Sequence, residues 1–252
     1  MTDQTLTAGW TTGADQLPPM PHPLVEAFGR PTWKERRRFA EAAELSNDPV
    51  ELAPGDGRSV VVAPGFGGSA ESVGDLVGWF DGAGYSVRVA DLEGNRRASA
   101  WAVERIIATL DEIGRPSILI GHSRGGQQCR VAAHCRPDLI DRLITLGAPV
   151  RAHVPRHFVL RAAAEVLRAQ ALLRGVDLAE ERRYEAVLTS PFEAAVDWTS
   201  IWSRSDGLVA WQACFSPAAE NVEVECSHRG LVASVASFEA ISESLIHPHI
   251  GR

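Results

Sequence analysis

The sequence has no excess of basic residues: 25 Lys and Arg stand against 32 Asp and Glu, for a net charge of -7. A chain that neutralises many phosphates carries the opposite balance, so no nucleic-acid partner is expected. It also lacks any run approaching the ~20 uninterrupted apolar residues of a helical membrane span. The start, MTDQTLTAGWTTGADQLPPMPHP, has neither a basic opening nor an apolar core, so it does not read as a secretory signal and a cytoplasmic protein is the expectation. Cysteine is scarce: four in 252 residues do not make a disulfide scaffold. Cys129 and Cys135 fall on different sides of one predicted helix. Cys214 and Cys226 flank a predicted strand and are either a bridge or two buried thiols packing as small apolar groups. No internal repeat is visible, and nothing in the sequence speaks to oligomeric state.

What is there suits one globular domain with a large core: 45% apolar and 23% charged residues. Residues 1–22, rich in Thr, Gly, Pro and Asp, read as a flexible N-terminal arm, and 23–252 as the domain. The pattern is helical from Pro23 to about Leu45, with the charged cluster Lys34 to Arg38 read as a solvated face. After the turn PGDG (54–57), β-branched runs alternate with helical segments, which predicts a mainly parallel sheet of about six strands with helices on both faces. The predicted strands are Ser59–Ala63, Ser86–Ala90, Ser117–Ile120, Leu143–Leu146, Thr199–Ser203 and Val222–Glu225. The predicted helices are about 71–82, 98–113, 124–135, 207–213 and 233–245. One interval breaks the alternation: between Pro149 and Asp197 no strand is expected, and the sequence carries a helical stripe of Val159, Ala163, Val166 and Leu167, with Leu172 falling on its charged side. It is too long for a normal βα connection and reads as a helical cap over one end of the sheet.

The chemistry concentrates in SILIGHSRGGQQCR (117–130). Gly121-His122-Ser123-Arg124-Gly125 matches G-x-S-x-G, with an apolar strand running into it and a helix leaving it, the setting of a nucleophile elbow. Ser123 then sits at a helix N-terminus, where the dipole favours developing negative charge. A serine hydroxyl needs a base. In elbows of this type the partners follow in the order Ser, acid, His. Asp206, just past the strand TSIWS, is the expected acid, and His228, just past VEVE, the expected base. The intervals leave room for one strand and the insertion, then for one helix and one strand. Asp197 precedes its strand and belongs at the wrong end of the sheet. His122 is expected to pack beneath the elbow; His247 and His249 lie in a polar tail, and His134, His153 and His157 have no supporting context.

Acyl transfer also needs donors aimed at the developing oxyanion. The expected pair is the backbone N–H of Arg124, just after the nucleophile, and that of Phe66 in the loop Pro64-Gly65-Phe66-Gly67-Gly68 after the first strand. Asn95, Arg96 and Arg97 follow the second strand at the same end, either as guides for an anionic substrate or as a solvated loop. Trp198, Trp202 and Trp211 are either core or pocket lining.

The order PGFGG, GHSRGG, TLGAP, SRSDGLVAWQAC and SHRGL resembles the bacterial α/β-hydrolase superfamily, and more narrowly a lipase- and esterase-like group of serine hydrolases. The resemblance spans roughly residues 24–246 and is specific at the elbow and at the acid and histidine segments. It implies the α/β-hydrolase fold, with the first two family strands missing or replaced by the N-terminal helix, a cap at about 151–197, and a triad of Ser123, Asp206 and His228. The chain departs from the group at Arg124 and Arg229, where apolar or small residues are expected. The implied reaction is cleavage of a carboxylic ester or thioester of a small-molecule acyl substrate through an acyl-enzyme, with no metal or cofactor. An acyltransferase or cyclase would share that intermediate. A non-catalytic binding protein of the same fold would typically have lost a triad member.

Overall fold

The computed structural model describes residues 9–11, 17–20, 32–151, 178–193 and 195–246. Six strands lie parallel in one sheet: β2 (Ser59–Ala63), β3 (Ser86–Val89), β4 (Ser117–His122), β5 (Ile140–Leu146), β6 (Asp197–Trp202) and β7 (Glu220–Glu223). Gly9–Thr11, inside the stretch expected to be a loose arm, forms β1 and pairs antiparallel with β7, so the spatial order is β1-β7-β6-β5-β4-β2-β3. The predicted strands are all present, shifted by three residues or fewer at either end.

The central strands are buried on both faces, which is why they read as continuous apolar runs. Their side chains alternate between two cores, as the two-residue period demands. Val61, Leu119 and Leu143 face one core, shared with α3 (Ser99–Ile113), α4 (Arg124–Cys135) and α5 (Leu178–Thr189). Val60, Val62, Ile118, Ile120 and Ile144 face the other, shared with α2 (Gly74–Gly82) and α7 (Val235–Ile246). The edge strand β3 is only partly covered and carries Arg88, paired at 3.2 Å with Glu112, a charge that discourages further pairing.

Chain direction explains where a site forms. From β2 the chain runs outward through α2 to β3, then returns across β2 through α3 to β4, which pairs with β2 on its other side. The loops after β2 and β4 therefore part at this switch point, at the carboxyl end of the sheet.

Of the stretch expected to be helical from Pro23 to about Leu45, residues 23–31 lie outside the described residues; Thr32–Arg37 is a 3-10 turn that leads into α1 (Arg38–Asn47). Part of the insertion belongs to the body: α5 packs on α3 and α4, with Tyr184 and Leu188 in the core. Val159, Ala163, Val166 and Leu167 lie outside the described residues. Between β6 and β7 the predicted helix is one short turn, α6 (Trp211–Cys214). Among the described residues no helix is long and apolar enough to cross a membrane. The four cysteines are free thiols; Cys214 and Cys226 are both buried.

Candidate active site

Four loops at the carboxyl end of the sheet converge. The first is the elbow. Ser123 joins β4 to α4 with φ 54° and ψ -122°, a conformation that costs a non-glycine residue of the order of 1–3 kcal/mol. Packing holds it there: the Ser123 N–H donates to Leu146 O at 2.8 Å. The turn is so close to its surroundings that a Cβ on Gly121 would stand 2.4 Å from Gly126 Cα, and one on Gly125 2.3 Å from Ala63 O. The motif glycines are thus required by space.

The second loop, 64–68, lies against the first: a Cβ on Gly65 would stand 3.2 Å from Ser123 Cβ. The Gly67 N–H donates to Gly94 O at 2.8 Å and that of Gly68 to Gly65 O at 3.0 Å. Arg124 opens α4, so its own N–H is one of those a helix cannot satisfy internally. Phe66, in the second loop, is partly exposed.

The third and fourth loops carry Asp206 and His228, the expected acid and base. Asp206 follows β6 and is buried; its Oδ1 accepts from the N–H groups of Leu208 at 2.7 Å and Val209 at 2.6 Å. That fixes the carboxylate and leaves Oδ2 facing His228 Nδ1 at 2.6 Å. With Nδ1–H donating to the carboxylate, Nε2 is the bare nitrogen, the tautomer a general base requires. Burial opposes charge on His228, but the Asp206 carboxylate, through its charge and its hydrogen bond, and Glu35 outweigh burial and raise the pKa above its ordinary value. Beneath it, His122 is held neutral: burial, then the proximity of His228, push its pKa down to about 3. Ser203 Oγ ties the two loops, accepting from Ser205 N at 3.0 Å and Cys226 N at 3.3 Å.

The rivals are placed elsewhere. Asp197 opens β6 at the opposite end of the sheet, 3.7 Å from Arg142. His134 lies on α4, its ring 6.3 Å from that of Phe192. His153, His157, His247 and His249 lie outside the described residues.

The side chain of Arg124 is held by the loop after β3 and the start of α3. Its guanidinium donates to Asn95 O at 2.6 Å, Arg97 O at 2.8 Å and Ser99 Oγ at 3.0 Å, fastening the elbow to the loop after β3. Asn95 is buried, and its amide donates to Pro64 O and exchanges hydrogen bonds with Gln128, each at 2.8 Å. Arg97 lies over Trp101 at 4.1 Å and pairs with Glu93. Trp198 is core, its Nε1–H donating to Thr145 Oγ1; Trp202 is buried and stacks on Trp211 at 4.8 Å.

Sequence reasoning missed two carboxylates. Glu35, inside the cluster read as a solvated face, accepts backbone N–H bonds from Gly207, His228 and Arg229. Glu41 accepts from the Ser227 N–H and hydroxyl at 2.8 and 2.5 Å.

No family model matches the chain, and no curated protein matches it. Solved structures do. One is MGS-MChE2, an α/β-hydrolase enzyme from a sediment metagenome of the Mar Chica lagoon, at 17% identity and TM-score 0.57 over 77% of this chain and 92% of that one. Another is the mature lipase BlEst2 of Bacillus licheniformis, at 19% identity and TM-score 0.55 over 79% and 96%. A third is the monoacylglycerol lipase of Paleococcus ferrophilus, at 16% identity and TM-score 0.53 over 78% and 97%. These likenesses carry the fold: the chain has the α/β-hydrolase fold.

Proposed function

We propose that the protein is a serine hydrolase that cleaves a carboxylic ester or thioester through an acyl-enzyme at Ser123. The observation that carries the reading is the conjunction of two features at one end of the sheet. Ser123 is held in a strained elbow, and a buried Asp206–His228 pair, joined at 2.6 Å, presents a bare Nε2. The loops bearing both halves meet at Gly147: the Ser123 N–H bonds to Leu146, and a Cβ on Gly147 would stand 3.2 Å from His228 Nδ1.

In this reading His228 Nε2 takes the Ser123 proton as Oγ attacks the carbonyl carbon. The oxyanion accepts hydrogen bonds from the N–H groups of Phe66 and Arg124. The imidazolium, stabilised by Asp206, returns its proton to the departing alcohol or thiol. Water then attacks the acyl-enzyme, losing a proton to Nε2, and the acid leaves as Ser123 recovers its proton.

The segment between Arg151 and α5 belongs to the same proposal. It departs after β5, at the end of the sheet that bears Ser123, and Arg151 is fixed there by its N–H bond to Ala213 O at 2.9 Å. We assign it the choice of acyl chain.

The test is a panel of p-nitrophenyl esters from acetate to palmitate, with acyl-CoA thioesters alongside, run on the protein and on Ser123→Ala. Turnover by the first and loss of roughly three or more orders of magnitude in kcat by the second is the expected result. Activity in Ser123→Ala within about tenfold of the unaltered protein sinks the assignment.

A further inference from the structure

The N-terminal helix reaches the histidine from a part of the chain that the catalytic motifs do not touch. Glu35 Oε1 accepts from Gly207 N at 3.0 Å and from His228 N at 3.1 Å; Oε2 accepts from Arg229 N at 3.0 Å. One carboxylate therefore holds both loops whose spacing sets the Asp206–His228 contact: Gly207 adjoins the acid, and His228 and Arg229 are the base and its neighbour. Hydrogen bonds to an ionised acceptor are about twice as strong as neutral ones, so the tie is stiff. Glu41, one turn and a half further along, grips Ser227 just before the base. Arg37 bridges Glu41 at 3.8 Å and Glu225 at 3.6 Å, fastening the helix to the strand exit that leads to the histidine.

We propose that Glu35 is a positioning residue of the hydrolytic site: it locks the acid turn to the histidine turn and supplies a second negative charge for the imidazolium that forms as Ser123 attacks. This rests on the Ser123–His228–Asp206 reading. The charged and titratable groups facing His228 are Asp206 from the loop after β6, Glu35 from the N-terminal helix, Arg229 from its own loop and His122 from β4. Two of these are anionic, one is cationic, and His122 is neutral. Removing Glu35 leaves Asp206 opposed by Arg229, so the charged imidazole loses part of its support.

The consequence differs from that of an ordinary structural contact. Glu35→Gln keeps one oxygen, able to retain the bonds from Gly207 and His228. It removes the charge and turns an NH2 group towards the Arg229 N–H. Glu35→Asp keeps the charge on a stem one methylene shorter. Glu44→Gln makes the same charge change on an exposed residue of α1, the helix that follows the Glu35 turn, and serves as control.

The experiment measures kcat, KM and the pH profile of p-nitrophenyl butyrate hydrolysis for these three variants. It is paired with an NMR titration of His228 in Ser123→Ala, with and without Glu35→Gln, a readout that needs no turnover. For Glu35→Gln the expected result is a fall in kcat of about tenfold or more with KM within about threefold. The acid limb should move down by about 0.3–1 pH unit, and the His228 titration should move with it. Glu35→Asp should recover much of kcat, and Glu44→Gln should match the unaltered protein. A Glu35→Gln variant that loses thermal stability alone, with kcat and the His228 titration unmoved, overturns the proposal. If instead Ser123→Ala and Asp206→Asn retain activity, the triad reading has failed, and the NMR titration still decides whether Glu35 sets the proton affinity of His228.

Discussion

The rings of His122 and His228 lie 4.7 Å apart at 42°, and His122 Nε2 stands 3.0 Å from the backbone oxygen of His228. A carbonyl oxygen only accepts, so the neutral His122 ring carries its proton on Nε2 and donates it there, a fixed support beneath His228. The two histidines are thus driven in opposite directions within one small region: His228, hydrogen-bonded to Asp206, gains proton affinity, and His122, for which burial and the proximity of His228 outweigh the pull of Asp206, loses it.

The pH profile follows from that asymmetry. Only neutral imidazole accepts the serine proton, and the pKa of His228 is raised, so kcat/KM should climb through a limb centred above the ~6.5 of an unperturbed histidine. Asp206→Asn should lower that midpoint as well as the rate. A limb centred below about 6, measured with a substrate slow enough that encounter does not limit the rate, contradicts the assigned environment of the base.

The two aspartates of the β6 segment should separate cleanly. Asp206 orients His228 at 2.6 Å, whereas Asp197 pairs with Arg142 at the other end of the sheet. Asp206→Asn is expected to reduce kcat by about a thousandfold or more, through the wrong imidazole tautomer, and Asp197→Asn by less than about tenfold. Purified, folded variants ranked the other way would identify the wrong acid.

Gly147, in the TLGAP segment, is a sensitive position. Its φ is +56°, and an added Cβ would lie 2.5 Å from Leu231 Cδ1 and 3.2 Å from His228 Nδ1. Gly147→Ala should therefore displace the histidine loop. We expect kcat to fall by at least about tenfold and the protein to lose about 1–3 kcal/mol of stability by chemical denaturation. Full activity in this variant means that the histidine loop is not held against Gly147.

The acyl-chain preference tests the segment after Arg151. If Val159, Ala163 and Leu167 line the acyl pocket, then Val159→Trp, Ala163→Phe and Leu167→Trp should each favour shorter esters. The change should be graded, since one methylene is worth only ~1–3 kcal/mol. An unchanged chain-length profile in all three folded variants removes this segment as the selector.

The legible parts of the sequence were those whose signal is local. The elbow announces itself because strand, serine and helix are contiguous, and the glycines of Gly121-His122-Ser123-Arg124-Gly125 are required by contacts within that turn and with β2. Asp206 and His228 stand out because each follows its strand at the same end of the sheet, and the structure brings them to 2.6 Å. Glu35 does not, because its partners are backbone N–H groups 172 to 194 residues away, and backbone donors leave no trace in residue identity. Among Lys34, Arg36 and Arg37 it looked like one more solvated charge. Asn95 misled in the opposite sense: a polar residue after a strand suggests a substrate contact, yet its amide is consumed by Pro64 and Gln128. The three residues of β1 are too few to show any alternation.

The central claim is that His228 makes the Ser123 hydroxyl a nucleophile. Covalent labelling by a fluorophosphonate measures that most directly, because it reports activation of the serine whatever the natural substrate. The adduct is located by peptide mapping, and the rate is compared in the intact protein, Ser123→Ala and His228→Ala. One adduct is expected, on the peptide bearing Ser123. It should be absent in Ser123→Ala and slowed by about a hundredfold or more in His228→Ala. An unlabelled protein, or one labelled equally fast without His228, contradicts it.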